Sequence, residues 1–129
     1  MGERLAIALK PARQAIVVGL TGQLGAGKTT LVRGMAHGFG ITTRLLSPTY
    51  TIVRRYPVTA MFSWLYHLDL YRIQHVREIY EIGFDEIIAD PSHVVVVEWI
   101  DRIAITPTVA IHLELAATGH RIQLPDAII

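Results

Sequence analysis

Apolar positions along the chain fall into short β-branched runs broken by glycine and proline, and helical spacing is confined to a few segments. Residues 15–20 form a short run rich in β-branched side chains, the pattern of a buried strand. Four consecutive valines, Val94, Val95, Val96 and Val97, give the strongest strand signal and lead into Glu98 and Trp99. Residues 51–56 and 64–70 predict two more strands, with Asp69 near the end of the second. Residues 109–115 and 120–124 alternate apolar and polar on either side of a short turn over 116–119, which predicts a hairpin. Leu5, Ala6, Ile7 and Leu9 predict the end of an amphipathic helix that stops at Pro11. Residues 29–39 predict a second helix with Leu31, Val32, Met35, Ala36 and Phe39 as its apolar stripe, ended by Gly38 and Gly40. Residues 76–82 have helical spacing and close at Gly83. A strand, loop and helix at the start followed by buried strands predict a three-layer α/β fold. Its sheet is expected to be mainly parallel, with a C-terminal antiparallel hairpin.

Composition narrows this picture without redirecting it. With 129 residues, no internal repeat and no linker, the expected organisation is one domain over 1–129. A hydrophobic fraction of 51% and a charged fraction of 18% are ordinary for a folded chain. The net charge of +1 indicates no particular partner. Arg44, Arg54, Arg55, Arg72 and Arg77 are scattered, so no basic patch for nucleic acid is expected. The absence of cysteine excludes disulfides, zinc–thiolate sites and thiol catalysis in this chain. No basic segment leads into a long apolar run at the start, and no apolar stretch reaches membrane-spanning length. A cytoplasmic protein is therefore expected.

The chemistry begins at Gly22-Gln23-Leu24-Gly25-Ala26-Gly27-Lys28-Thr29, which matches the phosphate-loop pattern in full. Glycines let the backbone turn tightly and bring N–H groups close to phosphate oxygens. The helix that follows adds its positive N-terminal end. Lys28 has the reach to contact β- and γ-phosphates, and the Thr29 hydroxyl is suited to ligate a bridging magnesium ion. A strand before the motif and a helix after it supply the expected context, that of a P-loop nucleoside triphosphatase.

A magnesium–nucleotide site calls for a carboxylate at the end of a buried strand, and Glu98 and Asp69 both qualify. In a parallel sheet the C-terminal strand ends gather at the edge where the phosphate loop sits. Glu98 is suited to hold the metal directly or through water, and Asp69 to do the same or to orient the attacking water. Asp85, Glu86, Asp90 and Asp101 lack that context and are expected at the surface or as caps. Ser47, Thr49 and Thr51 follow the phosphate-loop helix and are either hydroxyls of a γ-phosphate-sensing segment or part of an ordinary proline turn. Trp99 is either core or a partner-facing anchor. The six histidines show no metal-ligand spacing, and His67 and His112 are expected to be satisfied packing positions.

Four segments then carry a resemblance: Leu24-Gly25-Ala26-Gly27-Lys28-Thr29-Thr30, Ser47-Pro48-Thr49-Tyr50-Thr51, His67-Leu68-Asp69-Leu70-Tyr71-Arg72 and Val97-Glu98-Trp99. In that order they resemble the tRNA threonylcarbamoyladenosine biosynthesis ATPase family, TsaE, over nearly the whole chain. The resemblance implies a small magnesium-dependent ATPase. The partners it implies are TsaB and TsaD, which modify adenosine 37 of tRNAs reading ANN codons. Hydrolysis is expected to reset that complex. It also implies nucleotide binding by Gly25, Ala26, Gly27, Lys28, Thr29 and Thr30. Magnesium binding is expected at Thr29 and Glu98, with Lys28, Asp69 and Glu98 serving hydrolysis. Thr49 and Trp99 match positions linked to hydrolysis or to the partner interface.

Two departures accompany the resemblance. Members usually carry Asp or Glu where this chain has Gln23, a neutral residue that cannot act as a charged base. The first residues, Met1 to Ala6, match the middle of a family helix, so a leading segment that covers the adenine is expected to be missing and base discrimination to be weak. Two other classes use the same loop: a small-molecule phosphotransferase, and a non-catalytic nucleotide-gated module. No arginine-rich lid supports the first. A GTPase is disfavoured because the base-reading N-K-x-D segment is absent.

Overall fold

A computed structural model describes residues 1–23, 25–46, 48, 51–59, 61–116 and 119–123, with the backbone alone for 115–116 and 119–123. The elements run α1 (Gly2–Ala8), β1 (Ile16–Gly22), α2 (Lys28–Gly38), β2 (Val53–Pro57), β3 (Trp64–Asp69), α3 (Arg77–Glu81), α4 (Phe84–Ala89), β4 (His93–Glu98), a 3-10 turn (Ile100–Arg102), β5 (Val109–Ala116) and β6 (Gly119–Gln123). One six-stranded sheet has the order β2-β3-β4-β1-β5-β6. The central strands β3, β4, β1 and β5 are parallel. Antiparallel partners close both edges, β2 against β3 and β6 against β5. This is the three-layer, mainly parallel arrangement expected from the pattern, with the C-terminal hairpin in place. The antiparallel pairing of β2 is an addition.

Period-2 alternation sorts the core into two layers. Val18, Leu20, Val94, Val96, Leu65 and Ile111 pack with Leu5, Leu31, Val32 and Met35 of α1 and α2. Val17, Val95, Val97 and Leu68 pack with Ile79, Phe84, Ile87 and Ile100 on the opposite face. The valine run is buried along its whole length because β4 sits between β3 and β1 with helices on both sides. Its central place is what brings Glu98 to the middle of the sheet edge.

Helix α1 lies against α2 through a close contact rather than through large side chains. A Cβ at Gly38 would sit 2.8 Å from Glu3 Cα and 2.9 Å from Ala6 Cβ. Gly38→Val is therefore expected to force the helices apart and cost about 2 kcal/mol. An unchanged urea midpoint would show that this contact carries no stability.

Two elements depart from the expected pattern. Gly83, with φ 81°, ends α3 and also opens α4, a six-residue helix without a side-chain cap, so the sequence shows only the stop. Strand β2 starts at Val53 rather than Thr51. Both Thr51 and Ile52 donate backbone N–H groups to the Pro48 carbonyl (3.1 and 2.7 Å), with Ile52 at φ 67°, and the turn uses up residues that read as strand. Leu124, placed at the end of the predicted hairpin, lies outside the described residues. Among the described residues, no helix is long and apolar enough to cross a membrane.

Candidate active site

The C-terminal ends of β1, β4 and β3 meet at one edge of the sheet. Register aligns Leu20 with Glu98 across β1 and β4, and Asp69 with Glu98 across β3 and β4. Side-chain parity then matters. Residues 94, 96 and 98 of β4, and 65, 67 and 69 of β3, share the face that packs on α2. Glu98, Asp69 and His67 are thus delivered to the same side as the phosphate loop.

The loop leaves β1 at Gly22, whose φ of 135° and whose hypothetical Cβ, 2.2 Å from the Leu113 carbonyl oxygen, leave room for glycine alone. Ala26 N–H closes the turn onto the Gln23 carbonyl at 3.1 Å. Helix α2 then starts at Lys28 with Gly27 as its N-cap. Lys28 is 5% exposed. Its ammonium donates to the carbonyls of Gly22 at 2.7 Å and Gln23 at 2.8 Å, and lies 4.2 Å from the centre of the Trp99 ring. Burial lowers the Lys28 pKa below the ordinary lysine range, against the opposing fields of Glu98, Asp69 and Asp101.

One turn position later, the Thr29 hydroxyl donates to Glu98 Oε1 at 3.3 Å. The other carboxylate oxygen, Oε2, meets His67 Nε2 at 2.5 Å. Glu98 and His67 are 3% and 0% exposed. Asp69 is nearly buried, and its Oδ1 accepts the Tyr71 N–H at 3.0 Å. His67, expected as a satisfied packing position, is fully buried and is also hydrogen-bonded to the Glu98 carboxylate. The overlooked signal is its i, i+2 spacing to Asp69, which puts both on one face of a strand. His112 pairs with the Thr21 hydroxyl at 2.9 Å and is satisfied as expected, but it is partly exposed along the sheet edge rather than packed in the core.

Trp99 adopts the left-handed region, with φ 60° and ψ 40°, a conformation non-glycine residues rarely take. That kink lets its N–H reach the Leu20 carbonyl at 2.9 Å and folds the ring back over Lys28. Tyr71 stacks against it at 5.0 Å between ring centres. Trp99 thus packs partly on the core, one of the two roles left open by its sequence position, and partly on the loop lysine.

An open cleft of about 610 Å³ runs along Gly22, Gln23, Trp99 and His112, and an apolar cavity of about 280 Å³ lies beside Ala26, Thr30 and Leu113. Gly25, Ala26 and Gly27 belong to the loop and Thr30 to the first turn of α2, and Ala26, Gly27 and Thr30 line the apolar cavity. The Gln23 side chain is exposed, and its backbone carbonyl makes the described contacts to the site. Leu24, Ser47, Thr49 and Tyr50 lie outside the described residues. Thr51 is exposed and turns its hydroxyl onto the Val53 carbonyl at 3.3 Å.

The oxygen donors fit a hard divalent ion. Adjacent vertices of an octahedron with magnesium–oxygen bonds near 2.1 Å stand about 3 Å apart, close to the 3.3 Å between Thr29 Oγ1 and Glu98 Oε1. Among the described residues, no group of three or more His, Asp or Glu side chains is arranged to hold a metal by itself. A magnesium ion bound mainly through substrate phosphates and water needs only one or two protein ligands.

Comparison with known proteins gives the family and the fold. The model of the family "Threonylcarbamoyl adenosine biosynthesis protein TsaE" matches residues 1–123. The chain is similar to the tRNA threonylcarbamoyladenosine biosynthesis protein TsaE of Treponema pallidum, with 39% identity over 108 residues covering 81% of this chain and 77% of that protein. It is 40% identical to the Haemophilus influenzae protein of the same name over 89 residues, 69% of this chain and 54% of that one. The chain thus spans about half the length of the Haemophilus influenzae relative. Among solved structures it is similar to Bacillus subtilus YdiB, with a TM-score of 0.66, 31% identity, and coverage of 94% of this chain and 72% of that one. A family match running from the first residue through the last described strand, on a fold that brings the separated motifs to one sheet edge, establishes that the chain belongs to the TsaE family.

Proposed function

We propose that the chain binds and hydrolyses ATP with magnesium at this sheet edge. It would act as a cytoplasmic accessory of tRNA threonylcarbamoylation, with TsaB and TsaD as partners. The observation that carries the catalytic reading is the Thr29–Glu98 contact beside Lys28, which joins a loop hydroxyl to a strand-end carboxylate 69 positions away. The pathway reading is supported by the family and by the names of the relatives.

On this reading Lys28 exchanges the Gly22 and Gln23 carbonyls for β- and γ-phosphate oxygens, gaining charge-assisted hydrogen bonds. Backbone N–H groups from Gly25 to Thr30 cradle the phosphates at the start of α2. Thr29 and Glu98 would hold the magnesium ion, which would supply positive charge to offset that of the phosphates. That offset is needed because Glu98, Asp69 and Asp101 already act electrostatically on Lys28. Asp69 orients the attacking water. The apolar cavity beside Ala26, Thr30 and Leu113 offers the base a place next to the loop.

Phosphate release measured with and without TsaB and TsaD tests the assignment. The expected result is slow basal hydrolysis that rises by about tenfold or more when both partners are present, a barrier change of about 1.4 kcal/mol. Equal rates in all conditions would remove the accessory role, and rapid phosphate transfer to a metabolite would replace it with a kinase.

A further inference from the structure

We propose that His67 is the positioning residue of the magnesium site, its Nε2–H holding the Glu98 carboxylate so that Oε1 faces Thr29. The inference rests on the reading of Thr29 and Glu98 as the magnesium ligands.

The tautomer follows from burial. His67 is fully buried, and among the described residues its Nδ1 has no hydrogen-bond partner. A proton on Nδ1 would be a buried donor left unmet, whereas a bare lone pair there costs less. Nε2 therefore carries a ring proton, which is donated to Glu98 Oε2 at 2.5 Å. With Oε2 taken, the carboxylate has one oxygen to offer, and that oxygen is the one 3.3 Å from the Thr29 hydroxyl.

The alternative orientation has a strong attractor. Lys28 lies close enough to feel the Glu98 charge, and it is held only by two carbonyls and the Trp99 face among its described contacts. A Glu98 free to rotate gains by moving toward that ammonium, which would misplace the carboxylate and occupy the cation meant for phosphate. The rigid imidazole prevents this. Strand register holds it there: His67 is aligned with Val96, one same-face step before Glu98 on β4. Groups that orient metal ligands in this way commonly alter metal affinity or activity by about 10- to 100-fold when removed.

Manganese bound with ADP, followed by electron paramagnetic resonance, reads the site without turnover. His67→Gln places an N–H where Nε2 stands, whereas His67→Asn places it where Nδ1 stands, away from Glu98. His67→Gln is expected to keep manganese affinity within about threefold of the unchanged chain, and His67→Asn and His67→Leu to lose about tenfold or more. ADP affinity in EDTA is expected to stay within about twofold for all three, because the phosphate cradle is untouched. Should His67→Leu fail to fold, the Gln and Asn variants decide the matter. Equal manganese affinity in those two variants, or a parallel loss of metal-free ADP binding, overturns the proposal. If the unchanged chain binds no manganese with ADP, the magnesium reading itself fails and this inference falls with it.

Discussion

Lys28→Ala is expected to weaken ADP and ATP binding by about 100-fold or more and to abolish measurable hydrolysis. The side chain carries the positive charge of the loop, and its ammonium is already turned toward the space above Gly22 and Gln23. Two charge-assisted hydrogen bonds at roughly 1.5–3 kcal/mol each set the scale of the loss, and about 2.7 kcal/mol corresponds to a hundredfold in affinity. The fold itself should tolerate the change. Lys28 is buried at an electrostatic cost, and the Gly22 and Gln23 residues it leaves behind border an open cleft where water can replace it. Calorimetric titration with magnesium–ADP, alongside a thermal melt of the nucleotide-free protein, separates the two effects. Near-normal affinity would mean that the backbone cradle alone binds the phosphates.

Glu98→Ala is expected to spare nucleotide binding and to reduce hydrolysis by about 100- to 1,000-fold. Loss of a metal-positioning charge removes several kcal/mol of transition-state stabilisation, and each 1.36 kcal/mol is tenfold in rate. Ground-state binding depends mainly on Lys28 and the loop, so KM should move far less than kcat. Truncation also leaves the buried His67 donor unmet. Glu98→Gln, which keeps the shape and an acceptor for His67, therefore serves as the control. A carboxamide with full activity would show that the Glu98 charge is not needed, and the magnesium assignment would fail.

Not every part of this site was equally legible in the chain. The phosphate loop could be read directly because its chemistry is local: eight consecutive residues specify the turn, the lysine and the hydroxyl. Glu98 stood out as a candidate because it ends a valine run that only a central strand accommodates. His67 was hidden because its role depends on a partner 31 positions away, across a pairing that no local pattern states. Trp99 was ambiguous for a similar reason. Its left-handed backbone is imposed by the contact to Leu20 and by the turn after Glu98, not by any preference of tryptophan.

The short elements show the same division. Helix α4 was invisible because six residues without a cap carry little intrinsic helical signal, and Phe84 and Ile87 become helical by packing on the sheet. Strand β2 begins two residues later than its side chains suggest, because Thr51 and Ile52 are strand-like in type but give their N–H groups to Pro48.

The sequence by itself determined the phosphate loop and the buried strands, since these rest on residue type and on periods of two and 3.6, and four of its segments carried the resemblance to the family. Only the tertiary structure decided that β4 lies between β3 and β1. Adjacency in a sheet is set by how several apolar faces cover one another, and no single segment encodes it. That adjacency makes a phosphate-binding loop into a candidate hydrolytic site. It places Asp69 beside Glu98, sets His67 behind it, and brings the Thr29 hydroxyl to the carboxylate from the other side of the chain.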